Sequence, residues 1–498
     1  MPEAHVLRGA TVVDGTGSPG QRADVLVDGD RIAALLPPGS PVPDAATVHD
    51  VEGRHVVPGF IDVHSHDDLA LLRDPWLVPK IAQGVTTVIV GNCGHGTAPL
   101  GVGNPMVEGV GAAVFGPAVE VDWTDTAGYL KRVAEVRPAV NVAALAAHNA
   151  LRIAICGLDH RPATRPELDL MVSAARAARD AGALGLSTGL GYEPARAADE
   201  DEIVELARVF ASTDGLYVTH LRDESDGVED ALREALRIGE RSGCAVHVSH
   251  LKCAGERNWG RMPDLLKILS RARATADVYP YTAASTALRP ALGAVGEAPL
   301  IAENYVIATA SGFEEIEGRS LADLAAEWGC SGLEAARRVL ERTDDQVTVV
   351  YFTMAEADVA AALADEITVI GSDGLPVGGR PHPRLYGTFP RVLTRHVAGE
   401  PHLSFEAAVH RMTGRAADVF GLGDRGRLVP GGFADLVVLD RERLTDRATY
   451  EDPRQTAAGI EAVMVNGAWV HSRDLADLRR SGRVLRGAGY KDEGTGRA

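Results

Sequence analysis

The chain has 498 residues, of which 45% are hydrophobic and 24% are charged, and its formal net charge is −19. This composition is ordinary for a folded globular protein and differs from that of disordered chains. The acidic balance argues against nucleic acids and anionic membranes as partners, although a locally basic pocket would still accept an anionic small substrate.

The N-terminal residues, MPEAHVLRGATVVDGTG, lack the basic start, apolar segment and small-residue cleavage site of a secretory signal peptide. The sequence has no uninterrupted run of 18 apolar residues, so no transmembrane helix is predicted. The five cysteines are odd in number and irregularly spaced, which disfavours a disulfide framework. We therefore expect a cytoplasmic protein. These observations do not determine its oligomeric state and are compatible with a monomer.

Short strands are predicted at both ends of the chain. The first 56 residues contain HVLRGATVVDG, ADVLVDGDRIAAL and ATVHDVEGRHVV, punctuated by Gly and Asp-Gly turns. A similar pattern returns in GRLVPGGFADLVVLD and GIEAVMVNGAWVH. We therefore predict one small β domain, a β-sandwich or small β-barrel, assembled from residues 1–56 and 420–475.

Between these ends, apolar runs of strand length alternate with helical stretches, which is typical of a parallel sheet covered by helices. Eight such runs predict an α/β fold, a (β/α)8 TIM barrel over residues 57–419. The last two runs are too far apart for a single connection, so residues 287–350 are predicted to be an ordered insertion after strand seven. The polar, Gly-rich residues 476–498 are predicted to be a flexible tail. The eight runs are VVPGFIDVHSH, GVTTVIVGNCG, VNVAALAAHN, GALGLSTGLGY, LYVTHLRDE, AVHVSHLK, ATADVYPYT and ITVIGSDG.

The carboxyl ends of the strands carry the active site in barrels of this type. Five of the predicted strands end in metal-binding residue types or a carboxylate, namely His64 and His66, Cys93, His220, His250 and Asp373. His64 and His66 are two positions apart on one strand, so both imidazoles are expected to face the barrel interior together with Asp62. His247 has the opposite parity to His250 and is expected to point outward.

Three of these residues suit a catalytic metal. Cys93, His220 and His250 supply three protein ligands and leave a fourth position for water, which is the stoichiometry of catalytic zinc. The fourth strand, GALGLSTGLGY, ends without a lysine or glutamate, so Cys93 is the best available anionic ligand or bridge. We therefore predict one tightly bound Zn²⁺ at these residues and a weaker second site at His64 and His66.

Asp373 is predicted to accept a proton from metal-bound water and to return it to the leaving nitrogen. Basic and phenolic residues follow the active strands and are predicted to anchor the substrate. An arginine fork binds a carboxylate through two N–H groups, so a small substrate bearing a carboxylate is expected. The predicted substrate contacts are Lys252, Tyr281, Arg384 and Tyr192.

These motifs resemble the amidohydrolase superfamily and, within it, the N-acyl-D-amino-acid deacylases, or D-aminoacylases. The resemblance covers most of the chain and rests on VVPGFIDVHSHDD, GVTTVIVGNCG, GALGLSTGLGY, LYVTHLRDE, VSHLK, YPYTAAST, GSDGLP and HPRLYGTFPRV. It implies tight zinc ligation by Cys93, His220 and His250, a weak site at His64 and His66, acid–base catalysis by Asp373, and substrate contacts from Lys252, Tyr281 and Arg384, with Tyr192 as a further pocket residue.

The resemblance implies hydrolysis of N-acyl-D-amino acids to a carboxylic acid and a free D-amino acid, with a broad or hydrophobic side chain. Arg289, near the start of the insertion, is expected at the surface; in the pocket it would instead favour acyl-D-glutamate or acyl-D-aspartate. A D-dipeptidase shares every motif quoted. A cyclic amidase of the hydantoinase or dihydroorotase type is disfavoured by the missing strand-four lysine, and a non-enzymatic paralogue is disfavoured by the full ligand set.

Overall fold

The computed structural model describes residues 4–100, 111–117, 119–293, 300–399, 402–472 and 475–491. No helix in these ranges is long and apolar enough to cross a membrane. The strands, in chain order, are β1 (Ala4–Val12), β2 (Gln21–Asp28), β3 (Arg31–Leu36), β4 (Thr47–Asp50), β5 (His55–Pro58), β6 (Phe60–Asp62), β7 (Val85–Val90), β8 (Asn141–Ala144), β9 (Ala146–Ala147), β10 (Gly185–Gly189), β11 (Leu216–His220), β12 (Ala245–Val248), β13 (Ala274–Val278), β14 (Ala283–Ala287), β15 (Tyr305–Ala310), β16 (Val347–Phe352), β17 (Thr368–Ile370), β18 (Leu436–Leu439), β19 (Ile460–Val465) and β20 (Ala468–Ser472).

The helices connect the strands in the central part of the chain and are absent from the strand-rich ends of the described ranges. In chain order they are α1 (Ala70–Arg73), α2 (Val78–Ile81), α3 (Ala112–Phe115), α4 (Thr126–Val136), α5 (His148–Cys156), α6 (Arg165–Asp180), α7 (Glu200–Ala211), α8 (Val228–Ser242), α9 (Met262–Leu269), α10 (Leu288–Gly293), α11 (Leu321–Trp328), α12 (Gly332–Arg342), α13 (Glu356–Ala364), α14 (Arg384–Arg391), α15 (Phe405–Met412) and α16 (Gly414–Phe420).

The two ends of the chain meet in one eight-stranded sheet of order β20-β19-β18-β5-β1-β2-β3, with β4 beside β1. β18 pairs antiparallel with β5, which joins the C-terminal strands to the N-terminal ones. A bridge between Arg31 and Phe433 connects the far strand β3 back to the segment before β18. The sheet encloses an apolar core of its own, which includes Leu7, Val25, Val27, Ile32, Leu436, Val438, Met464 and Trp469.

Parallel strands form the central part of the molecule. One sheet has the order β6-β7-β8 and a second has the order β17-β13-β12-β11-β10-β9. β8 and β9 are consecutive pieces of one strand, and a parallel bridge between Ser65 and Gly374 links the segments that follow β6 and β17. The arrangement is a TIM-barrel-type α/β ring, and each of the eight apolar runs predicted from the sequence contains one of its strands.

Side chains alternate between the inside of the ring and the surrounding helices. On β12, Val246 and Val248 pack outward, whereas the ring of His247 lies inside, 4.9 Å from that of Phe420. The prediction that His247 points outward is therefore wrong. His250 has a φ of +35°, and this breaks the two-residue alternation of the strand, so that both histidines face inward. The internal apolar cluster includes Ile61, Val63, Ile89, Leu145, Val218, Val369 and Phe420.

The long connection between the seventh and eighth barrel strands carries structure of its own. β14, β15 and β16 form an antiparallel sheet of order β14-β16-β15, and α11 packs against α12 beside it. The unit begins with β14 and ends with β16, so it extends slightly beyond the predicted limits of 287–350 at both ends. Within it, residues 294–299 lie outside the described ranges.

The C-terminal segment lies against the barrel. Val142 on β8 donates its N–H to Arg483 O at 2.9 Å and accepts the N–H of Leu485 at 2.8 Å, and Gly487 N donates to Gly182 O at 2.8 Å. The described part of the predicted flexible tail is therefore held by hydrogen bonds between backbone groups. Composition does not reveal this pairing, because every residue except proline carries the same backbone donor and acceptor.

A buried ion cluster ties the first barrel strand to the last. Lys80 of α2 is fully buried, and its Nζ lies 2.7 Å from Asp62, 3.3 Å from Asp67 and 2.8 Å from Ser372 Oγ. Asp62 thus pairs with this lysine of α2 instead of facing the barrel interior as predicted. Because buried carboxylates without a counter-charge are costly, Lys80→Met is expected to lower the free energy of unfolding by about 3–5 kcal/mol. Chemical denaturation followed by circular dichroism measures this change.

Arg337→Met is the matched control for the lysine variant. Arg337 pairs with Glu334 at 2.7 Å on an exposed face of α12, and surface pairs of this kind contribute about 0–1 kcal/mol. Equal losses of stability in the two variants would contradict the structural role given to the Lys80 cluster.

Candidate active site

Six polar residues meet at the carboxyl ends of the barrel strands. They come from five strands: His64 and His66 follow β6, Cys93 lies in the turn Asn92–Gly94 after β7, His220 ends β11, His250 follows β12 and Asp373 follows β17. All six side chains are buried. The structure therefore brings together every residue that the sequence predicted to bind metal or to carry a proton.

His250 links the three residues predicted to bind zinc tightly. Its Nε2 lies 3.3 Å from Cys93 Sγ and 2.9 Å from His220 Nδ1. Cys93 Sγ also lies 3.2 Å from His64 Nε2. Nitrogen and sulfur donors that face one another in a buried site are the donor types that would hold a zinc ion.

A second group of donors surrounds Asp373. Its Oδ1 lies 3.2 Å from His66 Nε2 and 3.5 Å from His64 Nε2. His64 belongs to both groups, because its Nε2 faces Cys93 as well as Asp373. The predicted weak site therefore includes a carboxylate that sequence reasoning assigned to proton transfer alone.

The electrostatic setting makes Cys93 and Asp373 anionic. Burial by itself raises the pKa of the Cys93 thiol, but the charges of His64 and His250, together with hydrogen bonds from His220 and His250, hold it well below its ordinary value. Burial likewise raises the pKa of Asp373, and the charges of Arg384, His250 and His64 outweigh it and hold this pKa well below the usual range. Thiolate, carboxylate and imidazole are the donors that zinc takes in proteins, so the residues present fit this metal.

Three of the six residues have a left-handed backbone, with φ of 54° at Cys93, 35° at His250 and 48° at Asp373. Non-glycine residues adopt such angles uncommonly, and strained backbone of this kind clusters at functional sites. Gly94 follows the thiol directly, and a Cβ added there would lie 2.8 Å from Gly189 N. Glycine therefore lets the turn approach the fourth strand closely enough to aim Cys93 into the barrel.

Two carboxylates that sequence reasoning missed, the buried Asp277 and the partly buried Glu224, contact the Nδ1 atoms of His64 and His250. Glu224 Oε1 lies 3.0 Å from His250 Nδ1 and 2.6 Å from Lys252 Nζ. Asp277 lies 3.1 Å from His64 Nδ1. The available signal for Asp277 was an isolated acid inside the strand ATADV. No comparable sequence signal marks Glu224, because its segment LRDE is typical of an ordinary polar loop.

Both predicted cations lie at the site, and both hold carboxylates of the protein. Lys252 pairs with Glu224, as described above. Arg384 is fully buried; its Nη1 lies 2.9 Å from Asp373 Oδ2, and its Nη2 donates to Ser285 O at 3.0 Å. Arg384 Nε has no hydrogen-bond partner among the described residues. The guanidinium therefore orients Asp373 and retains a donor for another acceptor.

Tyr192 and His95 form an aromatic wall of the site. The Tyr192 ring lies 4.4 Å from that of His220 and 4.9 Å from that of His95. His95 is buried. Burial lowers the pKa of His95 to about 4, so its imidazole is neutral near pH 7. This wall therefore carries no charge.

Tyr279, a residue not singled out from the sequence, lies beside Arg384, whereas Tyr281, predicted to contact the substrate, lies beside Arg391. The guanidinium of Arg384 lies 4.6 Å from the Tyr279 ring, which also lines a pocket next to Lys252. Tyr281 packs under Arg391, at 4.5 Å. The chain turns sharply after β13, where Tyr281 N donates to Tyr279 O at 3.0 Å. This turn separates two side chains that a continuing strand would place on one face.

The sequence profile of the Amidohydrolase family matches residues 47–471. Three relatives from Alcaligenes xylosoxydans xylosoxydans align over nearly their whole length. They are a D-aminoacylase, 42% identical over 97% of this chain and 98% of its own; an N-acyl-D-glutamate deacylase, 41% identical over 97% and 96%; and an N-acyl-D-aspartate deacylase, 40% identical over 96% and 94%.

Solved structures with this overall arrangement superpose closely, each covering 97% of this chain and 99% of its own. A D-aminoacylase crystal structure is 40% identical with a TM-score of 0.89. A further D-aminoacylase structure, 40% identical with a TM-score of 0.88, describes a binuclear metal center with one-metal activation and second-metal attenuation. The N-acyl-D-glutamate deacylase from Bordetella bronchiseptica, 39% identical with a TM-score of 0.88, was crystallised with zinc and a phosphonate mimic of the tetrahedral intermediate.

Proposed function

This chain belongs to the amidohydrolase family, and we propose that it hydrolyses the linear amide bond of N-acyl-D-amino acids. The products are a carboxylic acid and a free D-amino acid. The observation that carries the proposal is the convergence of Cys93, His220, His250 and Asp373 in one buried site at the strand ends. The relatives with the same overall arrangement supply the substrate class.

The metal that best fits these donors is zinc. We propose firm binding by Cys93, His220 and His250, and weaker binding by His64 and His66 with Asp373 close by. The zinc and binuclear metal centre of the relatives support this assignment. Zinc bound in such a site polarises the amide carbonyl and lowers the pKa of a water molecule.

Asp373 is placed to carry the proton of the reaction. Arg384 Nη1 lies 2.9 Å from its Oδ2, and the charge of Arg384 lowers the pKa of Asp373, which keeps the carboxylate ionised. As water attacks the amide carbonyl carbon, Oδ1 takes its proton. The carbon–nitrogen bond then breaks, and the same oxygen returns the proton to the departing nitrogen.

Arg384 and Tyr279 offer donors for the carboxylate of the substrate. Arg384 Nε and the Tyr279 hydroxyl are buried and lack hydrogen-bond partners in the described part of the chain. A buried donor without a partner costs about 1–3 kcal/mol, so an incoming carboxylate oxygen would be stabilising. Anchoring the substrate there fixes the scissile bond relative to Asp373. Lys252, 2.7 Å from His250 Nδ1, adds positive charge nearby.

The charges around the site favour an uncharged substrate side chain. Arg289, the residue considered for an acidic side chain, is 67% exposed and pairs with Asp345 at 2.8 Å. The two cations at the site already hold carboxylates of the protein. A broad or hydrophobic side-chain preference therefore has more support than a preference for acyl-D-glutamate or acyl-D-aspartate.

The zinc-loaded protein is expected to hydrolyse N-acetyl-D-leucine and to leave N-acetyl-L-leucine and hydantoin intact. For N-acetyl-D-glutamate, kcat/KM is expected to be about 10- to 100-fold lower, because its second carboxylate would be buried without a cation to pair with. Release of free amine, measured across matched D and L substrates, tests both statements. Inactivity on every D substrate would overturn the proposed reaction, whereas a preference for D-glutamate would overturn only the side-chain assignment.

The division of the chain into domains is a further part of the proposal. Residues 1–56 and 420–475 are assigned to a small β domain, and residues 57–419 are assigned to the catalytic domain. Support comes from an apolar cluster that the terminal sheet holds on one face, with Leu7, Val25 and Leu436, whereas its other face, with Val437 and Val463, packs in the same apolar cluster as the barrel.

A further inference from the structure

A single buried carboxylate, that of Asp277, contacts ligands of both proposed metal sites. Its Oδ1 accepts the backbone N–H of His250 at 2.9 Å, and both of its oxygens lie 3.1 Å from His64 Nδ1. We propose that Asp277 is a positioning residue that holds His64 and His250 in the geometry required for metal binding. This inference rests on the proposed zinc sites and names the group that organises them.

The contact with His64 determines which ring nitrogen is free to bind. A carboxylate only accepts hydrogen bonds, so the contact with Asp277 keeps a proton on His64 Nδ1 and leaves Nε2 as the ring nitrogen that a metal ion could take. That Nε2 faces Cys93 Sγ at 3.2 Å and Asp373 Oδ1 at 3.5 Å. In contrast, His66 Nδ1 is buried without a hydrogen-bond partner among the described residues. His64 is therefore the better-oriented member of the pair.

The contact with His250 holds a strained part of the backbone. His250 has a φ of 35°, and such a conformation persists only where the surroundings determine it. The bond from its N–H to Asp277 fixes the peptide that directs the imidazole toward Cys93 and His220. The same carboxylate thus reaches the tight site through a backbone group and the weak site through a side chain.

The carboxylate of Asp277 is itself fixed from two sides. His247 Nε2 lies 3.1 Å from Oδ2, and His247 Nδ1 lies 2.7 Å from Thr275 Oγ1. Gly371 closes the remaining space, because a Cβ added there would lie 2.6 Å from His64 Cβ and 2.9 Å from Asp277 Oδ1. The inward direction of His247, which parity along the strand did not predict, therefore has a physical role in this network.

Metal-stripped Asp277→Asn is expected to bind zinc at the weaker site about 10- to 100-fold less tightly than the unchanged protein. An amide has one acceptor oxygen and cannot accept from His64, His247 and the His250 backbone at once. Titration calorimetry with Zn²⁺ alone measures both affinities without any substrate. Gly371→Ala, whose methyl group would press against the same pair, is expected to produce the same loss. Asp24→Asn is the matched control, since Asp24 is a buried carboxylate of the terminal sheet that accepts the N–H groups of Gly9 and Gly39, and no described contact joins it to a proposed metal ligand.

The outcomes separate this inference from the proposed reaction. Unchanged zinc affinities in both Asp277→Asn and Gly371→Ala would overturn the positioning role; if the first variant fails to fold, the second decides. Equal weakening in Asp24→Asn would also overturn it, because the loss would then come from a general disturbance of the fold. If the unchanged protein binds zinc but releases no amine from any N-acyl-D-amino acid, the proposed reaction fails while the role of Asp277 stands.

Discussion

Replacement of Asp373 by asparagine is expected to lower kcat for N-acetyl-D-leucine by about 100- to 10,000-fold, the usual contribution of a general acid–base group, while tightly bound zinc is retained. Asparagine keeps the volume of the side chain but cannot take a proton from water or return it to nitrogen. Cys93, His220 and His250 are unchanged in this variant, so the tight site keeps its donors. Steady-state kinetics and metal analysis of the same samples measure both quantities.

The control for this variant is Asp446→Asn. Asp446 is largely buried and pairs with Arg391 at 3.3 Å, but no described contact joins it to a proposed metal ligand. It is expected to retain kcat, which separates loss of the proton carrier from loss of a nearby negative charge. A near-normal kcat in Asp373→Asn would mean that another group carries the proton.

Replacement of Cys93 by alanine is expected to weaken the tight zinc site by more than about 100-fold, because removing a ligand should cost at least as much as removing a supporting partner. The low pKa of Cys93 makes it the anionic donor of this site. His220 and His250 alone would leave only two imidazoles. Zinc content after gel filtration and turnover at saturating substrate are both expected to fall.

Cys253→Ala is the matched control for the ligand variant. Cys253 is also buried and follows the same strand as His250, but burial raises its pKa to about 12. It is therefore a neutral thiol, and its replacement is expected to leave zinc content unchanged. Retention of one zinc per chain in Cys93→Ala would move the tight site to His64, His66 and Asp373.

The strands of the barrel and the residues at their ends could be predicted from local sequence. Each strand is a short apolar run followed by a polar or glycine-containing turn, and parallel strands present their carboxyl ends at one edge. This rule was sufficient to bring His64 and Asp373 together although more than 300 positions separate them. In the structure, His64 Nε2 lies 3.5 Å from Asp373 Oδ1, which agrees with this rule.

Turn geometry and ion pairing were not accessible in the same way. Lys252 was predicted to meet the substrate, and the structure pairs it with Glu224, an acid that reads as part of a polar loop. Tyr281 was predicted to contact the substrate because it follows the seventh strand, whereas the sharp turn after that strand places Tyr279 beside Arg384. Each of these outcomes depends on contacts between distant parts of the chain, which periodicity does not encode.

The left-handed backbone in the site also constrains how sequences of this kind can drift. Aspartate and histidine are among the non-glycine residues found most often at positive φ, and cysteine is not. At position 93 the backbone would favour glycine or asparagine, so only the chemistry of the thiol retains Cys93. In a related protein that no longer needs the activity, replacing Cys93 by glycine would raise the free energy of unfolding by on the order of 1 kcal/mol. His64 and His66 are not among the positive-φ residues of the described chain, so their backbone does not favour replacement. In a related protein that has lost the activity, the first substitution among these residues is therefore expected at position 93.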